Sequence, residues 1–445
     1  MNFNANDASK TSPDINDTKA VASYLQELHS ADCVAYLQEY EAVDIARVVL
    51  ELSLEKQASI INYIPFDDRL ELGVALGAEQ LGRIMELMAR DDRVDMIKAL
   101  PEELAETTLQ AMAQSEREDI RRLALYPEGS AGAIMTTDYA TISLELTAHE
   151  ATEKLRFEAP EREVINRVYV IDKSRKLLGS VRLQSLLFAR PSLPIAQIME
   201  EHTPTVQIDD AQEYVAKQIA KYDTIALPVL DQKGRLVGII TYDDAMDVIQ
   251  QETTEDIYKG ANVGKVAGNL RYASGFLLYR KRIMWLIVLV FGNLFSGAGI
   301  AFFEEIIASH VSLVFFLPLL IGSGGNAGAQ SSTMMVRSLA TGDVMMKDWS
   351  KMLVRELLVS LALGVTMAIA VAGIGLWRGD MNIAKVVCVT MLLVVMIGSM
   401  IGMLLPFVLN KFKCDPATAS APLITSIADA VGVVIYFSVA TAILL

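Results

Sequence analysis

One acid stands alone where acids are rarest. Asp429 is the single charge in residues 416–445, an apolar run long enough to cross a bilayer. An ionised carboxylate near the middle of a span costs about 2.5–3.5 kcal/mol on insertion scales, so such residues usually face a polar path. The plainer reading is a carboxyl group paired for packing with a backbone or hydroxyl group, or one sitting near the interface. Nothing basic in the neighbouring apolar runs offers a partner, which favours a held cation. In a symmetric dimer, two Asp429 side chains facing one axis would repel unless a dication sat between them.

A second feature is GSGGNAGAQSS, Gly322 to Ser332, inside the uncharged run 306–336. Its Gly-x-Gly-x-x-Ala string imitates a dinucleotide fingerprint but lacks the βαβ context. Small residues suit close helix packing, and glycine-rich backbone opens inside a bilayer only where it faces protein or water. Asn326 and Gln330 add polar groups at helical spacing. With Gly325 and Thr425, they are candidates for lining a pore, and the run is expected to be broken at Pro318 and at the glycines. A third feature is acidic. Asp243, Asp244, Asp247, Glu252, Glu255 and Asp256 crowd one helical stretch, with Asp244, Asp247, Gln251 and Glu255 near one face; Asp91, Asp92 and Asp95 repeat the pattern upstream. Such runs are most often solvated faces. Like charges at this spacing destabilise a helix unless neutralised, and Mg²⁺ and Ca²⁺ both favour oxygen ligands.

The elements that must position these residues divide the 445-residue chain in two. It is 52% hydrophobic yet carries a formal charge of −15. Residues 283–445 hold eight basic and eight acidic residues, so the whole deficit lies in residues 1–282. Five apolar spans are expected, at about 283–303, 311–338, 354–377, 385–410 and 417–444. Arg280, Lys281 and Arg282 precede the first span, the first loop has no basic residue, and the second carries Arg337, Lys347, Lys351 and Arg355. By the positive-inside rule the N-terminal half is cytoplasmic and the C-terminus outside.

In the N-terminal half, residues 1–19 read as a disordered tail. Residues 20–129 read as an acidic all-helical domain, with Pro65 and Pro101, 36 residues apart, suggesting stacked helix pairs. Residues 130–250 turn to short strands in a duplicate, because Asp172 and Gly179 recur as Asp231 and Gly238, each 59 residues on. This pattern resembles a tandem pair of cystathionine-β-synthase-type (CBS) domains. In such domains Gly-x-x-Ser/Thr-x-x-Asp binds nucleotide ribose. Gly238, Thr241 and Asp244 keep that spacing; Gly179 is followed instead by Arg182 and Ser185. A degenerate fold repeat and a real site for ATP or another adenine nucleotide stand side by side.

The order of parts, together with PLLIGSGGNAGAQSSTMMVRSLATGDV, DPATASAPLITSIADAVGVVIYFS and TEDIYKGANV, resembles the MgtE family of magnesium channels over nearly the whole chain. The fold class implied is a multidomain membrane protein: an all-α superhelical N domain, an α/β CBS pair, a connecting plug helix over 251–279 and an α-helical membrane domain over 280–445. The resemblance implies a homodimer in the cell membrane with a pore on its two-fold axis. Asp429 matches the family's pore aspartate for hydrated Mg²⁺, and Asn326 falls in the Gly/Asn motif of the second span. Asp244, Asp247, Glu252, Glu255 and Asp256 match regulatory Mg²⁺ positions, joined by Asp91 and Asp95. Ala421 departs from members that carry Asn there.

The resulting expectation is passive Mg²⁺ uptake, closed by cytoplasmic Mg²⁺. Carriage of Co²⁺ or Mn²⁺, ion-coupled exchange, and a non-transporting CBS sensor are the alternatives. An acidic chain excludes nucleic acid as a natural partner. His29, His149, His202 and His310 and the three cysteines are scattered, and no nucleophile–base arrangement suggests an enzyme.

Overall fold

The structure, a computed structural model, describes residues 13, 15–158, 164–264 and 273–445. Most of the expected tail, residues 1–12 and 14, and residues 265–272 of the connector lie outside the described residues. The chain divides into two compact units, the first running to Glu252 and the second from Thr253 onward.

The first unit begins with short helices of unusual regularity: α1 Thr18–Glu27, α2 Ser30–Leu37, α3 Ala42–Val49, α4 Leu54–Tyr63, α5 Phe66–Leu76, α6 Ala78–Met85, α7 Arg90–Ala99, α8 Glu102–Ala111 and α9 Gln114–Leu123. Every one starts 12 residues after the last, and each packs on the helix two places further along. The repeat is therefore a 24-residue helix pair, which corrects the 36-residue recurrence; Pro65 and Pro101 mark helix starts three modules apart. Buried arginines report the true period. Arg69 donates to the carbonyls of Ile64 (2.8 Å) and Asn62 (2.7 Å) and to Asp92 (2.8 Å). Arg93, 24 residues on, does the same to Met88, Glu86 and the Glu116 carboxylate. Each satisfies carbonyls that the end of a helix leaves orphaned and ties that end to the next repeat.

The CBS pair follows as two three-stranded sheets. In the first, β1 Tyr139–Ser143 runs parallel to β2 Val164–Ile171, which pairs antiparallel with β3 Leu177–Arg182; α10 Ala148–Glu158 and α11 Leu183–Phe188 accompany it. In the second, β4 Val206–Gln207, β5 Ala226–Leu230 and β6 Leu236–Thr241 repeat that order, with α12 Gln212–Tyr222 and α13 Tyr242–Gly260. The 59-residue offset survives in the register, Val170 opposite Gly179 and Val229 opposite Gly238. Asp172 and Asp231 close the two hairpins: each accepts two backbone N–H bonds from its own turn at 2.8–2.9 Å. The Ser174 hydroxyl with the backbone bonds on Asp172, and the backbone and Arg235 side-chain bonds on Asp231, hold both carboxyls below the usual range.

Among its described residues the second unit holds five helices long and apolar enough to cross a membrane: α14 Gly275–Phe302, α16 Ser312–Thr341, α17 Trp349–Arg378, α18 Met381–Lys411 and α19 Ala421–Leu444, with the short α15 Glu304–Ser309 between the first two. The expected break in the second span does not occur. Helix α16 runs unbroken through Pro318 and through all the glycines, because its glycines serve packing. A Cβ at Gly328 would lie 2.7 Å from the Gly398 carbonyl, and Cβ atoms at Gly398 and Gly402 would collide with the Gly324 and Gly328 carbonyls. Two Gly-x-x-x-Gly rows, one on α16 and one on α18, thus bring the backbones into contact, the geometry small residues permit in bilayers.

Candidate functional site

In the second unit the site is built around α19. Ser420 caps the helix by accepting from Leu423 N at 3.4 Å, and Pro422 sits in its first turn. Buried Ser332 on α16 donates to the Ala419 carbonyl at 3.0 Å, and buried Tyr436 donates to that of Leu313 at 2.8 Å. These two bonds fix α19 along α16. Gly325 is buried, and a Cβ there would meet Thr425 Cγ2 at 2.9 Å. Thr425 lies one helical turn before Asp429, so the two share a face of α19. Asn326 and Gln330 occupy an exposed stripe of α16. The structure therefore joins Gly325 to Thr425 and sets Thr425 beside Asp429, while Asn326 and Gln330 face outward from this chain.

Asp429 itself is half-buried. Its Oδ1 is shut off from solvent and has no hydrogen-bond partner among the described residues. A buried, unpartnered carboxylate oxygen is costly unless a cation supplies what the protein withholds.

In the first unit the acids gather between α7 and α13. Asp91 and Asp244 share a hydrogen bond between their carboxyl groups. Burial pushes Asp244 up to about 6, against the bonds it accepts from Thr241 N (3.2 Å) and Thr241 Oγ1. Burial likewise pushes Asp95 to about 6, helped by Asp92, and raises Asp247, helped by Asp92 and Asp243. Arg69 opposes the rise at both Asp95 and Asp247. Lys98 opposes it at Asp95 as well. Arg69 is a buried cation inside the cluster and was not among the expected site residues; the available signal was an arginine recurring 24 residues later as Arg93 in the same place of its helix.

The remaining acids are engaged elsewhere. Glu252 accepts from Gln212 Nε2 at 2.8 Å. Glu255 and Asp415 both bind Lys259 Nζ at 2.6 Å, within the second unit, and these partners raise the Lys259 pKa. As the side chains stand, no three His, Cys, Asp or Glu groups among the described residues are placed to hold a metal ion. Because Mg²⁺ keeps several of its waters and takes only one or two carboxylates directly, the Asp91–Asp244 pair fits such an ion better than a full protein cage.

The nucleotide segment has a structural occupant. A Cβ at Gly238 would meet Met135 Sδ at 2.6 Å and the Thr136 carbonyl at 3.0 Å, and one at Gly179 would meet the Glu200 carbonyl at 2.5 Å. Each glycine lets the lead segment of the other repeat pair with its strand, Thr136 with Ile239 and Glu200 with Ser180.

Residues 317–439 match the family model MgtE, divalent cation transporter; residues 28–129 match the MgtE intracellular N domain, and 131–192 and 195–251 match CBS domains. The magnesium transporter MgtE of Thermus thermophilus is 37% identical over 72% of this chain and 72% of its own length. That of Bacillus subtilis is 35% identical over 73% of this chain and 71% of its own. Among solved structures, the cytosolic domain of the Mg²⁺ channel MgtE in complex with ATP superposes with a TM-score of 0.50 at 33% identity, covering 52% of this chain and 95% of that domain. With its helical stack, CBS pair and five apolar helices in that order, the chain belongs to the MgtE family of divalent cation transporters.

Proposed function

We propose that the protein is a Mg²⁺-selective channel for passive uptake, closed by Mg²⁺ on its cytoplasmic side. The observation that carries the reading is the buried oxygen of Asp429, without a partner among the described residues, on a helix long and apolar enough to cross a membrane. Relatives named as magnesium transporters support Mg²⁺ as the cargo. Mg²⁺ sheds water reluctantly, so one carboxylate per chain holds it through its inner waters, and two chains meeting on an axis supply two. In this arrangement Asn326 and Gln330 line the same path from the exposed stripe of α16. A divalent cation gains about 4.6 kcal/mol per 100 mV on entering a negative cell, twice the single-charge value. Entry needs no fuel and no catalytic step.

The basic residues before α14 and between α16 and α17 support a cytoplasmic first unit and an external C-terminus. Regulatory Mg²⁺ belongs at Asp91, Asp95, Asp244 and Asp247; burial pushes the last three carboxyls up, with neighbouring acids adding to the rise; Glu252, Glu255 and Asp256 join it by releasing their present partners. ATP in the solved relative supports an adenine nucleotide at the CBS pair.

The test is Mg²⁺ flux into proteoliposomes. Asp429→Ala is expected to abolish flux while the protein still assembles and melts as the parent does; undiminished flux would remove Asp429 from the pathway.

A further inference from the structure

Helices α14 and α19 of the second unit run parallel in one fixed register. A Cβ at Gly292 would lie 3.7 Å from Ser426 Cβ, and one at Gly299 would lie 3.0 Å from Val433 Cγ1. Just past α14, the Phe303 ring stacks on Phe437 with centroids 5.6 Å apart. Each of these α19 residues comes 134 positions after its partner. Ser296 falls on the same face of α14, four residues after Gly292 and three before Gly299, and the register sets it level with Asp429 and Ala430. On α19, Thr425 meets Gly325 of α16 while Ser426 meets Gly292 of α14. Asp429 comes four residues after the one and three after the other, so it stands over the seam between α14 and α16.

Ser296 Oγ, like Asp429 Oδ1, is shut off from solvent and has no hydrogen-bond partner among the described residues. Other hydroxyls of the apolar helices behave differently. Ser323, Thr333, Thr366 and Thr441 each donate to the carbonyl four residues back, at 2.7–2.9 Å, the ordinary use of a hydroxyl inside such a helix. Ser296 makes no such bond; Thr390 on α18 is orphaned as well. A bilayer offers nothing to satisfy a polar group, so an orphaned hydroxyl is costly there. This one shares its level with an orphaned carboxylate oxygen, and both atoms accept hydrogen bonds. A guest that carries several donors satisfies the two at once.

We propose that Ser296 belongs to the pore station: its hydroxyl oxygen accepts from a water in the inner shell of the cation that Asp429 holds. The proposal rests on the permeation reading of Asp429 and extends that site to a second helix. Mg²⁺ keeps its inner waters in a near-octahedral array, and those waters are the donors. Serine supplies an acceptor without a charge. A neutral acceptor steadies the shell without deepening the electrostatic well, which suits a site that must also release its ion.

The experiment is Mg²⁺ flux into proteoliposomes of the full chain, alone and under block by hexaamminecobalt(III), whose ammines imitate the waters of Mg²⁺ but do not exchange. Ser296→Ala is expected to raise half-saturating Mg²⁺ and to weaken the block, each by about threefold to tenfold. Ser296→Thr keeps the hydroxyl and is expected to stay within about twofold of the parent in both. Thr390→Val removes the orphaned hydroxyl of α18 and should also stay within that range. A hydroxyl kept for a guest does not hold the fold, so Ser296→Ala is expected to melt no lower than the parent in divalent-free detergent. Parental half-saturation and block in Ser296→Ala overturn the proposal. A lower melting temperature in Ser296→Ala, with equal loss of function in Ser296→Thr, overturns it in favour of a packing role. A parent that the complex does not block overturns the contact through an intact shell. If flux survives in Asp429→Ala, the permeation reading falls and this one with it; if flux is lost there while Ser296→Ala is parental, only Ser296 leaves the station.

Discussion

Asp244 and Asp429 are the same side chain in two opposite settings. Asp244 accepts from Thr241 twice, shares a hydrogen bond with Asp91, and sits near an arginine that tempers its acidic neighbours. Asp429 has a buried oxygen with no partner among the described residues and no other charge within its own helix. Crowding makes an acid responsive, because whatever neutralises one member eases the others. Isolation makes it a bare station for a passing ion. We read the first setting as regulation and the second as permeation.

The sharpest break of this contrast is the removal of Arg69. Arg69→Ala leaves Asp92 without its ion-pair partner, removes a cation that tempers Asp95 and Asp247, and strands the carbonyls of Ile64 and Asn62; it is expected to destabilise the first unit by about 3–5 kcal/mol. Millimolar Mg²⁺ should recover part of that loss, as read by thermal melting, whereas a loss indifferent to Mg²⁺ would mean that the acids hold no divalent ion. Asp244→Asn works the other way. An aspartate at about 6 in the folded state against 3.8 unfolded opposes folding by about 2–3 kcal/mol when ionised. The penalty is present above pH 6 and fades as pH falls toward 4. In divalent-free buffer the parent is therefore expected to melt higher at pH 5 than at pH 8, and Asp244→Asn to gain stability at pH 8 and flatten that slope. A parent that melts lower at pH 5 would contradict the crowded setting. The smallest effect belongs to the frame around Asp429. Gly402→Ala drives a methyl group into the Gly328 carbonyl and is expected to cost about 1–3 kcal/mol in the second unit. Gly297→Ala, with nothing within 4 Å of the added carbon, should leave melting unchanged; equal effects would mean the two glycine rows do not hold the frame.

Much of this was legible from residue order alone. Asp429 declared itself because one charge in thirty apolar residues has few structural uses. The CBS duplicate was legible because Asp172/Asp231 and Gly179/Gly238 keep one offset, even though their roles are a turn cap and a close strand approach. The 12-residue cadence of the helical stack was hidden because its helix starts carry unlike residues: Asp17, His29, Ser53, Pro65, Gly77 and Ala89 all occupy the position before a helix. Two of the nine happened to pair as Pro65 and Pro101, three 12-residue modules apart. The Gly398/Gly402 row was hidden for another reason. Four-residue glycine spacing is common in apolar helices, and only its partner on α16 turns it into a contact surface. Arg69 left a trace in its recurrence as Arg93, but its place among the acids was hidden because Asp92, Asp95 and Asp247 come from other helices.

A stack in which each helix leans chiefly on the next but one is a one-dimensional polymer of modules. Its cooperativity decays with distance, so opening at the Thr18 end need not disturb the far end, where Arg90 ties α7 to Asp119 and Asp138. Backbone amide exchange along the stack should therefore follow a gradient, fastest in α1 and slowest near α7 and α9. Excision of one whole 24-residue pair should leave a shorter stack with its seam intact, whereas loss of a single 12-residue module would set every later helix on the wrong side.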